Sequence, residues 1–184
     1  MAEHVEAGGQ GDSMILENYI TENKDLFINR VNEISTILGI NPDWLMLDMY
    51  HESGLDSSAV NPNGGATGLI QFMPATAAGL GTSTDDLLNM SNVDQLDYVL
   101  AYFKPYAGRI KTAYDIFLID FFPAALGKPD DYIFHTSNLS AQTIANANKI
   151  FDLDGDGQIT MAEYKQNLNN YFSKYGLDPS KKKI

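Results

Sequence analysis

Two groups of acidic residues in this sequence have types and spacing that could carry out chemistry. Glu52 stands at the end of an apolar segment, and a loop rich in glycine and turn-forming residues follows it. Four further carboxyls, Asp152, Asp154, Asp156 and Glu163, lie within twelve residues. The first pattern predicts a lone acid that faces a cleft. The second predicts a cation site, because carboxylates this close repel one another unless a cation compensates their charge.

Glu52 is a candidate general acid for breaking a glycosidic bond. That reaction needs a proton at the leaving oxygen while positive charge builds on the anomeric carbon. A carboxylic acid keeps its proton near neutral pH where apolar surroundings disfavour the anion, and Trp44, Met49 and Tyr50 lie close in the sequence. Ser53 is expected to hydrogen-bond to this carboxyl or to a substrate. Taken alone, Glu52 is more simply interpreted as a solvated helix end, so the catalytic interpretation depends on the segment that follows.

Helical patterns on both sides of Glu52 would position it. Asn41 is expected to cap a helix that begins at Pro42 and stops at Gly54, and its nearly continuous apolar composition predicts a buried central helix. Residues 54–67 read as a loop, in which a small β element around residues 59–70 stays open. Few other runs alternate as strands do, so the fold class is mainly α. Further helices are expected at residues 26–38, 74–80, 93–106, 110–122, 140–151 and 161–175.

The segment that begins at Gly68, with the order Gly-Leu-Ile-Gln-Phe-Met-Pro-Ala-Thr-Ala, completes a longer motif with Glu52 and Ser53. Residues 52–77 together resemble the catalytic core of the lysozyme-like lytic transglycosylases, a superfamily that includes the goose-type lysozymes and cuts the glycan strands of bacterial cell walls. The resemblance extends more weakly over residues 30–132. Phage-encoded forms of the family come closest in the later segments. The resemblance implies a lysozyme-like catalytic domain.

The resemblance implies a mechanism with a single acid. Glu52 would protonate the bond between N-acetylmuramic acid and N-acetylglucosamine, and would then act as a base on the muramic acid's own hydroxyl, which closes an anhydro ring without water. The substrate's acetamido group would stabilise the cation, so no second carboxylate is needed. For Gln71 the simpler alternative is an amide that caps local backbone. The residues expected to bind the sugar are Ser53, Gly68, Leu69, Gln71 and Tyr132, with Gly68 allowing close backbone approach.

One departure from the family keeps two rivals open. The family carries an Ala-Tyr-Asn-x-Gly motif whose tyrosine contacts the catalytic glutamate, but residues 121–127 lack that hydroxyl here. Hydrolysis on the same fold, as in a muramidase, therefore remains an alternative, and so does a non-catalytic, calcium-dependent wall-binding or virion structural protein. The tyrosines that could replace the hydroxyl are Tyr102, Tyr106, Tyr114 and Tyr132. The aspartates that could position a water are Asp56, Asp85, Asp86 and Asp97.

Residues 152–163 fit the EF-hand pattern at each diagnostic position. Gly157 occupies the sixth position, where the chain turns sharply, and Ile159 occupies the apolar eighth position. Hard oxygen donors predict one Ca²⁺, and a single loop favours a structural role over a sensor; a solvated acidic loop is the alternative. The expected ligands are Asp152, Asp154, Asp156, Gln158 (through its backbone carbonyl), Thr160 and Glu163. The histidines His4, His51 and His135 lack metal-ligand spacing, and His51 is expected to point about 100° away from Glu52.

Composition excludes several classes of partner. The net charge of −12 argues against nucleic-acid binding, and the absence of cysteine excludes disulfides and thiolate zinc sites. We expect a flexible tail at residues 1–13, a transglycosylase domain at 14–135 and an EF-hand segment at 136–184. The expected partner is peptidoglycan, with a monomeric protein that does not insert into membranes. Because no signal peptide is visible, action at the periplasm or cell wall would require virion association or another route of release.

Overall fold

The computed structural model describes residues 13–182, so His4 and most of the predicted N-terminal tail lie outside the described residues. The described chain is mainly helical, as predicted, and its β structure consists of isolated bridges. The helices are α1 (Lys24–Leu38), α2 (Pro42–Ser53), α3 (Pro74–Gly79), α4 (Thr84–Asn89), α5 (Asn92–Phe103), α6 (Ala113–Phe121), α7 (Ala141–Ala147) and α8 (Met161–Lys174). Single 3₁₀ turns occur at Glu17–Tyr19, Lys104–Tyr106, Pro123–Ala125 and Lys149–Phe151.

Helix α2 begins and ends where the sequence predicts. The Asn41 side chain accepts a hydrogen bond from the Asp43 N–H at 2.9 Å, and Pro42 fills the first helical position. Gly54 ends the helix in the left-handed conformation at φ 67°. Residues 44–49 are buried, with α1 and α6 packed against the helix. This burial confirms the prediction of a central helix, and it leaves Glu52 in the last turn, where α2 emerges from the core.

The loop after α2 contains the small β element that the sequence left open. Isolated antiparallel bridges join Val60 to Thr67 and Thr67 to Phe72. The Thr67 and Phe72 backbones exchange hydrogen bonds of 3.0 and 2.9 Å, which close a tight turn over residues 68–71. This turn faces the end of α2, so it carries the second half of the motif to the neighbourhood of Glu52.

The C-terminal segment packs directly on the rest of the chain. The Tyr164 ring of α8 stacks on Phe121 of α6 with a centroid distance of 5.4 Å. A bridge between Ile133 and Thr160 ties the 152–163 loop to the segment after α6. The Ala113 N–H donates to the Pro179 carbonyl at 2.8 Å, so the end of the described chain is also attached. None of the helices between residues 13 and 182 has the length and apolar composition needed to cross a bilayer.

Candidate active site

Glu52 borders a pocket of about 400 Å³ that is walled largely by aromatic side chains. Its side chain is 27% exposed, so the carboxyl is reachable from the pocket and yet sheltered on most sides. The walls come from α2, α6, the 3₁₀ turn before the acidic loop, and α8. The lining residues are His51, Glu52, Phe117, Asp120, Phe121, Asn148, Ile150, Phe151, Tyr164, Asn167, Leu168 and Tyr171.

Glu52 is not a lone acid, because two aspartates lie beside it. One carboxylate oxygen of each of Asp48, Glu52 and Asp120 lies within 4.8 Å of those of the other two. Asp48 stands four residues before Glu52 on the same face of α2, and Asp120 comes from the last turn of α6. The sequence interpretation missed both aspartates because they lie within apolar runs. Their signal was the i, i+4 spacing of Asp48 and Glu52, and the carboxyl of Asp120 inside the apolar last turn of α6.

The surroundings of this carboxyl cluster favour retention of protons. Asp48 is fully buried, and neither of its side-chain oxygens receives a hydrogen bond from an N–H or O–H donor. Burial, reinforced by the neighbouring Asp120, raises the pKa of Asp48 well above its ordinary value. Burial likewise raises the pKa of Asp120 to about 8, with Glu52 adding to the shift. The described lysines and arginines form no ion pair with these carboxyls.

His51 also belongs to the pocket. Its Nδ1 lies 3.7 Å from Glu52 Oε1, and its ring packs against Phe117 and Tyr171. The prediction that His51 points away from Glu52 is therefore wrong. Both side chains reach the same pocket because they stand in the last turn of α2, and this turn faces the opening between α6 and α8.

A second, smaller pocket of about 100 Å³ borders Asp120 from the other side. Its lining includes Gln71, Thr76 and Tyr102, together with Asp120 itself. The Gln71 side-chain amide donates to the carbonyls of Ala59 at 3.2 Å and Gly68 at 3.0 Å, which is the local capping role that the sequence left as an alternative. Gln71 therefore both lines a pocket next to the cluster and holds its own turn.

Gln95 of α5 holds the turn that follows Gly68. Its Oε1 accepts the Leu69 N–H at 2.7 Å, and its Nε2 donates to the carbonyls of Ser57 and Leu87, both at 3.0 Å. A Cβ added at Gly68 would overlap the side-chain amide of Gln95. The missing side chain at Gly68 is thus explained by close packing against Gln95. Leu69 is fully buried, and neither Gly68 nor Leu69 lines either of the two pockets described above.

Tyr164 is the tyrosine that the sequence analysis did not consider and that the structure brings to Glu52. Its ring lines the larger pocket. Burial, and then the charges of the three carboxyls, raise the pKa of the Tyr164 hydroxyl well above its ordinary value, so it stays protonated. Tyr102 lies near Asp120, and its hydroxyl donates to the Ile119 carbonyl at 3.0 Å. Tyr106 lines neither pocket.

Tyr114 and Tyr132 do not line either pocket. The Tyr114 hydroxyl donates to the Asn169 side chain. The Tyr132 ring packs against Phe134 and His135, on the side of the chain that pairs with the acidic loop. The structure therefore brings neither tyrosine to Glu52.

The aspartates that the sequence offered for positioning a water lie outside the Glu52 pocket. Asp97 pairs with Arg30 at 2.8 Å on the surface. Asp56 accepts the Ser58 N–H and is exposed, and Asp85 and Asp86 are exposed in the first turn of α4. The aspartates beside Glu52 are instead the two of the carboxyl cluster.

The acidic loop has the shape of a cation site. Oxygens of Asp152, Asp154 and Asp156 lie within 4.8 Å of one another, and Asp152 Oδ1 is buried without a hydrogen-bond donor. Glu163 folds back over the loop: its Oε2 accepts the Leu153 N–H at 2.7 Å, and its Oε1 accepts the Thr160 N–H at 3.1 Å. These hydrogen bonds lower the pKa of Glu163, outweighing the opposing effect of burial, and keep it ionised.

Comparison with known proteins gives a match to a family model. Residues 29–102 match the family model described as the transglycosylase SLT domain. This range runs from within α1 to the end of α5, and it contains Glu52 and the turn over residues 68–71. No curated protein matches the chain. This region is therefore similar to a transglycosylase SLT domain, and the match covers less than half of the chain.

Proposed function

We propose that this protein is a peptidoglycan lytic transglycosylase that cleaves the bond between N-acetylmuramic acid and N-acetylglucosamine in bacterial cell walls. The observation that carries the proposal is the position of Glu52 in an aromatic-walled pocket, within the segment that matches the family. Aromatic rings suit the apolar faces of sugars, and a half-buried carboxyl can hold a proton for the leaving oxygen.

In the proposed reaction, Glu52 acts first as an acid and then as a base. It donates its proton to the glycosidic oxygen, and the bond from that oxygen to the anomeric carbon breaks. The muramic acid's 6-hydroxyl then attacks the anomeric carbon, and its proton passes to the Glu52 carboxylate. The product is a 1,6-anhydro ring, and Glu52 regains its starting state without consuming water. Exclusion of water by the aromatic walls would favour this outcome.

Hydrolysis is the second candidate, and the position of Asp120 is the observation that favours it. A second carboxyl so close to the acid could orient a water or take part in a retaining mechanism, for which carboxyls stand about 5 Å apart.

Mass spectrometry of the fragments released from purified sacculi tests the proposal. Anhydro-ended muropeptides would support the transglycosylase, and reducing ends would support the muramidase. Glu52→Gln keeps the shape of the side chain and removes the proton, so it should abolish release of both products. Should the unmodified protein bind sacculi and release nothing, as Glu52→Gln does, a non-catalytic wall-binding protein would be the better conclusion.

We also propose that residues 152–163 bind one Ca²⁺ as an EF-hand. The three aspartates that face one another and the buried, donor-free oxygen of Asp152 support this fit. The expected ligands remain Asp152, Asp154, Asp156, the Gln158 carbonyl, Thr160 and Glu163. Calcium would neutralise the loop and fix α8 against α6, and so hold one wall of the Glu52 pocket.

Calorimetry and thermal unfolding test the calcium proposal without any activity assay. The chelator EDTA should lower the melting temperature, because a ligand present at 100 times its Kd stabilises the folded state by about 2.7 kcal/mol. Asp152→Asn should remove both the heat of calcium binding and the response to EDTA. Asp130→Asn, a change at an exposed aspartate outside the loop, should keep both. Equal melting curves with calcium and with EDTA would rule the site out.

A further inference from the structure

The fully buried Asp48 has two side-chain oxygens that lack a hydrogen-bond donor. An ionised carboxylate that is buried without a donor costs several kcal/mol. Neither Asp48 oxygen has a donor, and Asp120 Oδ2 is in the same position. Because the two side chains are close enough to hydrogen-bond to each other, a single proton placed between them would give one oxygen of each side chain a hydrogen-bond partner.

The other groups that face the Asp48–Asp120 pair do not neutralise its charge. From α2 come Glu52 and, beyond it, His51, whose contact is with Glu52. From α5 comes Tyr102, which gives its proton to the Ile119 carbonyl. From α8 comes Tyr164, whose pKa is raised so that it stays neutral.

We infer that Asp48 and Asp120 share one proton, and that the single negative charge remaining on the pair acts on the neighbouring carboxyl of Glu52. The two aspartates are positioning residues that act through Glu52. A singly charged pair within 4.8 Å opposes ionisation of its neighbour. Three carboxyls this close lose their protons as one coupled system, so the cluster as a whole has to be titrated.

The proton shared by the aspartates and the proton of Glu52 have different roles. Asp48 is fully buried, so the shared proton is out of reach of a substrate. Glu52 faces the pocket, and its proton is the one given to the glycosidic oxygen. Once Glu52 has given it up, two negative charges stand side by side, which drives Glu52 to take the proton of the muramic acid hydroxyl. This consequence rests on the proposed function, whereas the shared proton itself does not.

Nuclear magnetic resonance of the protein labelled with ¹³C at the aspartate and glutamate carboxyls tests the shared proton directly. We expect two aspartate signals to keep changing above about pH 6, where ordinary aspartates are fully ionised. Asp48→Asn should remove one of these signals and Asp120→Asn the other, and Asp97→Asn, on the surface, should remove neither. If every aspartate signal of the unmodified protein finishes its change below about pH 5, the inference is wrong. A bound cation would give a different result: the aspartate signals would show full ionisation without EDTA and would change above about pH 6 only after EDTA is added. That result would also overturn the inference.

The pH profile of sacculus cleavage tests the consequence for Glu52. In the double variant Asp48→Asn/Asp120→Asn, the loss of cleavage should be about tenfold greater on the alkaline side of the profile than on the acidic side. Equal loss at every pH would indicate a structural role only. If the unmodified protein does not cleave sacculi, the proposed function fails, and the spectroscopic result still decides whether the proton is shared.

Discussion

The hydroxyl of Ser53 lies 2.9 Å from the Leu69 carbonyl oxygen and 3.0 Å from the Met49 carbonyl, so it joins the last turn of α2 to the turn that follows Gly68. This serine therefore joins the two halves of the motif. Ser53 was predicted to bind the Glu52 carboxyl or substrate, and the described hydrogen bonds go to backbone instead.

Ser53→Ala should loosen the connection between Glu52 and the turn. We expect a loss of about 1 kcal/mol in the free energy of unfolding, from one hydrogen bond. We expect about a tenfold loss of cleavage, because a small displacement of a catalytic group is costly. Urea unfolding and sacculus digestion measure the two effects. Ser173→Ala, at an exposed position of α8, is the control and should change neither.

Gly68→Ala should destabilise the protein more than Gly81→Ala. Both glycines have positive φ, at 85° and 80°, so both variants carry the strain of about 1–2 kcal/mol that a side chain meets there. Only at Gly68 would the new Cβ collide with Gln95, since nothing lies within 4 Å at Gly81. We expect a further loss of about 1–3 kcal/mol from this overlap. Chemical unfolding of both variants measures the difference, and equal losses would show that Gln95 gives way freely.

Tyr164→Phe should reduce cleavage while leaving the fold intact. Tyr164 lines the pocket and stays protonated, so it is the described tyrosine best placed to supply the hydroxyl that residues 121–127 lack. We expect about a tenfold or greater fall in turnover, as for loss of one donor in an active site. Tyr102→Phe serves for comparison: it should lower stability by about 1 kcal/mol through the lost bond to Ile119. The assignment to Tyr164 fails if Tyr102→Phe alone slows turnover.

The free energy of unfolding should fall as the pH rises towards 8, because Asp120 holds its proton more tightly in the folded protein than in the unfolded chain. Its pKa is raised to about 8 in the folded protein, above the value in the unfolded chain, so the folded state binds more protons between the two values. The stabilising effect is therefore full below the unfolded pKa and is lost as the pH rises through the folded pKa. The slope approaches about 1.4 kcal/mol per pH unit for one proton.

Thermal unfolding from about pH 5 to about pH 8 measures this slope. Asp120→Asn should flatten it, and Asp97→Asn, which alters an exposed ion pair, should leave it unchanged. A steeper decline in Asp120→Asn than in the unmodified protein would contradict the expected sign.

Local rules predicted the helices of this fold well. Asn41 and Pro42 start α2 and Gly54 ends it, because capping and left-handed conformation are properties of a few neighbouring residues. The spacing of the acidic loop likewise lies within twelve residues, and its calcium site stays a prediction. Both predictions use only information that is close in the sequence.

The site beyond Glu52 depends on contacts between distant segments, which local rules do not contain. Asp120 meets Asp48 only because α6 packs against α2. Gln95 reaches the Gly68 turn from α5, so close packing against a side chain distant in the sequence accounts for the glycine at position 68. Tyr164 was overlooked because it lies in the outgoing helix of the acidic loop, far from the recognised motif in the sequence.

The bridge between Ile133 and Thr160 has a consequence for how this chain can be divided. In an isolated EF-hand loop, the backbone at Ile159 would be available to pair with a second loop. Here the Phe134 N–H donates to the Ile159 carbonyl at 2.8 Å and occupies that position. A cut near residue 135 would strip α8, with Tyr164 and Tyr171, from the wall beside Glu52. The Glu52 pocket and the acidic loop are thus joined by direct contacts, and we expect neither part of the chain to keep this pocket without the other.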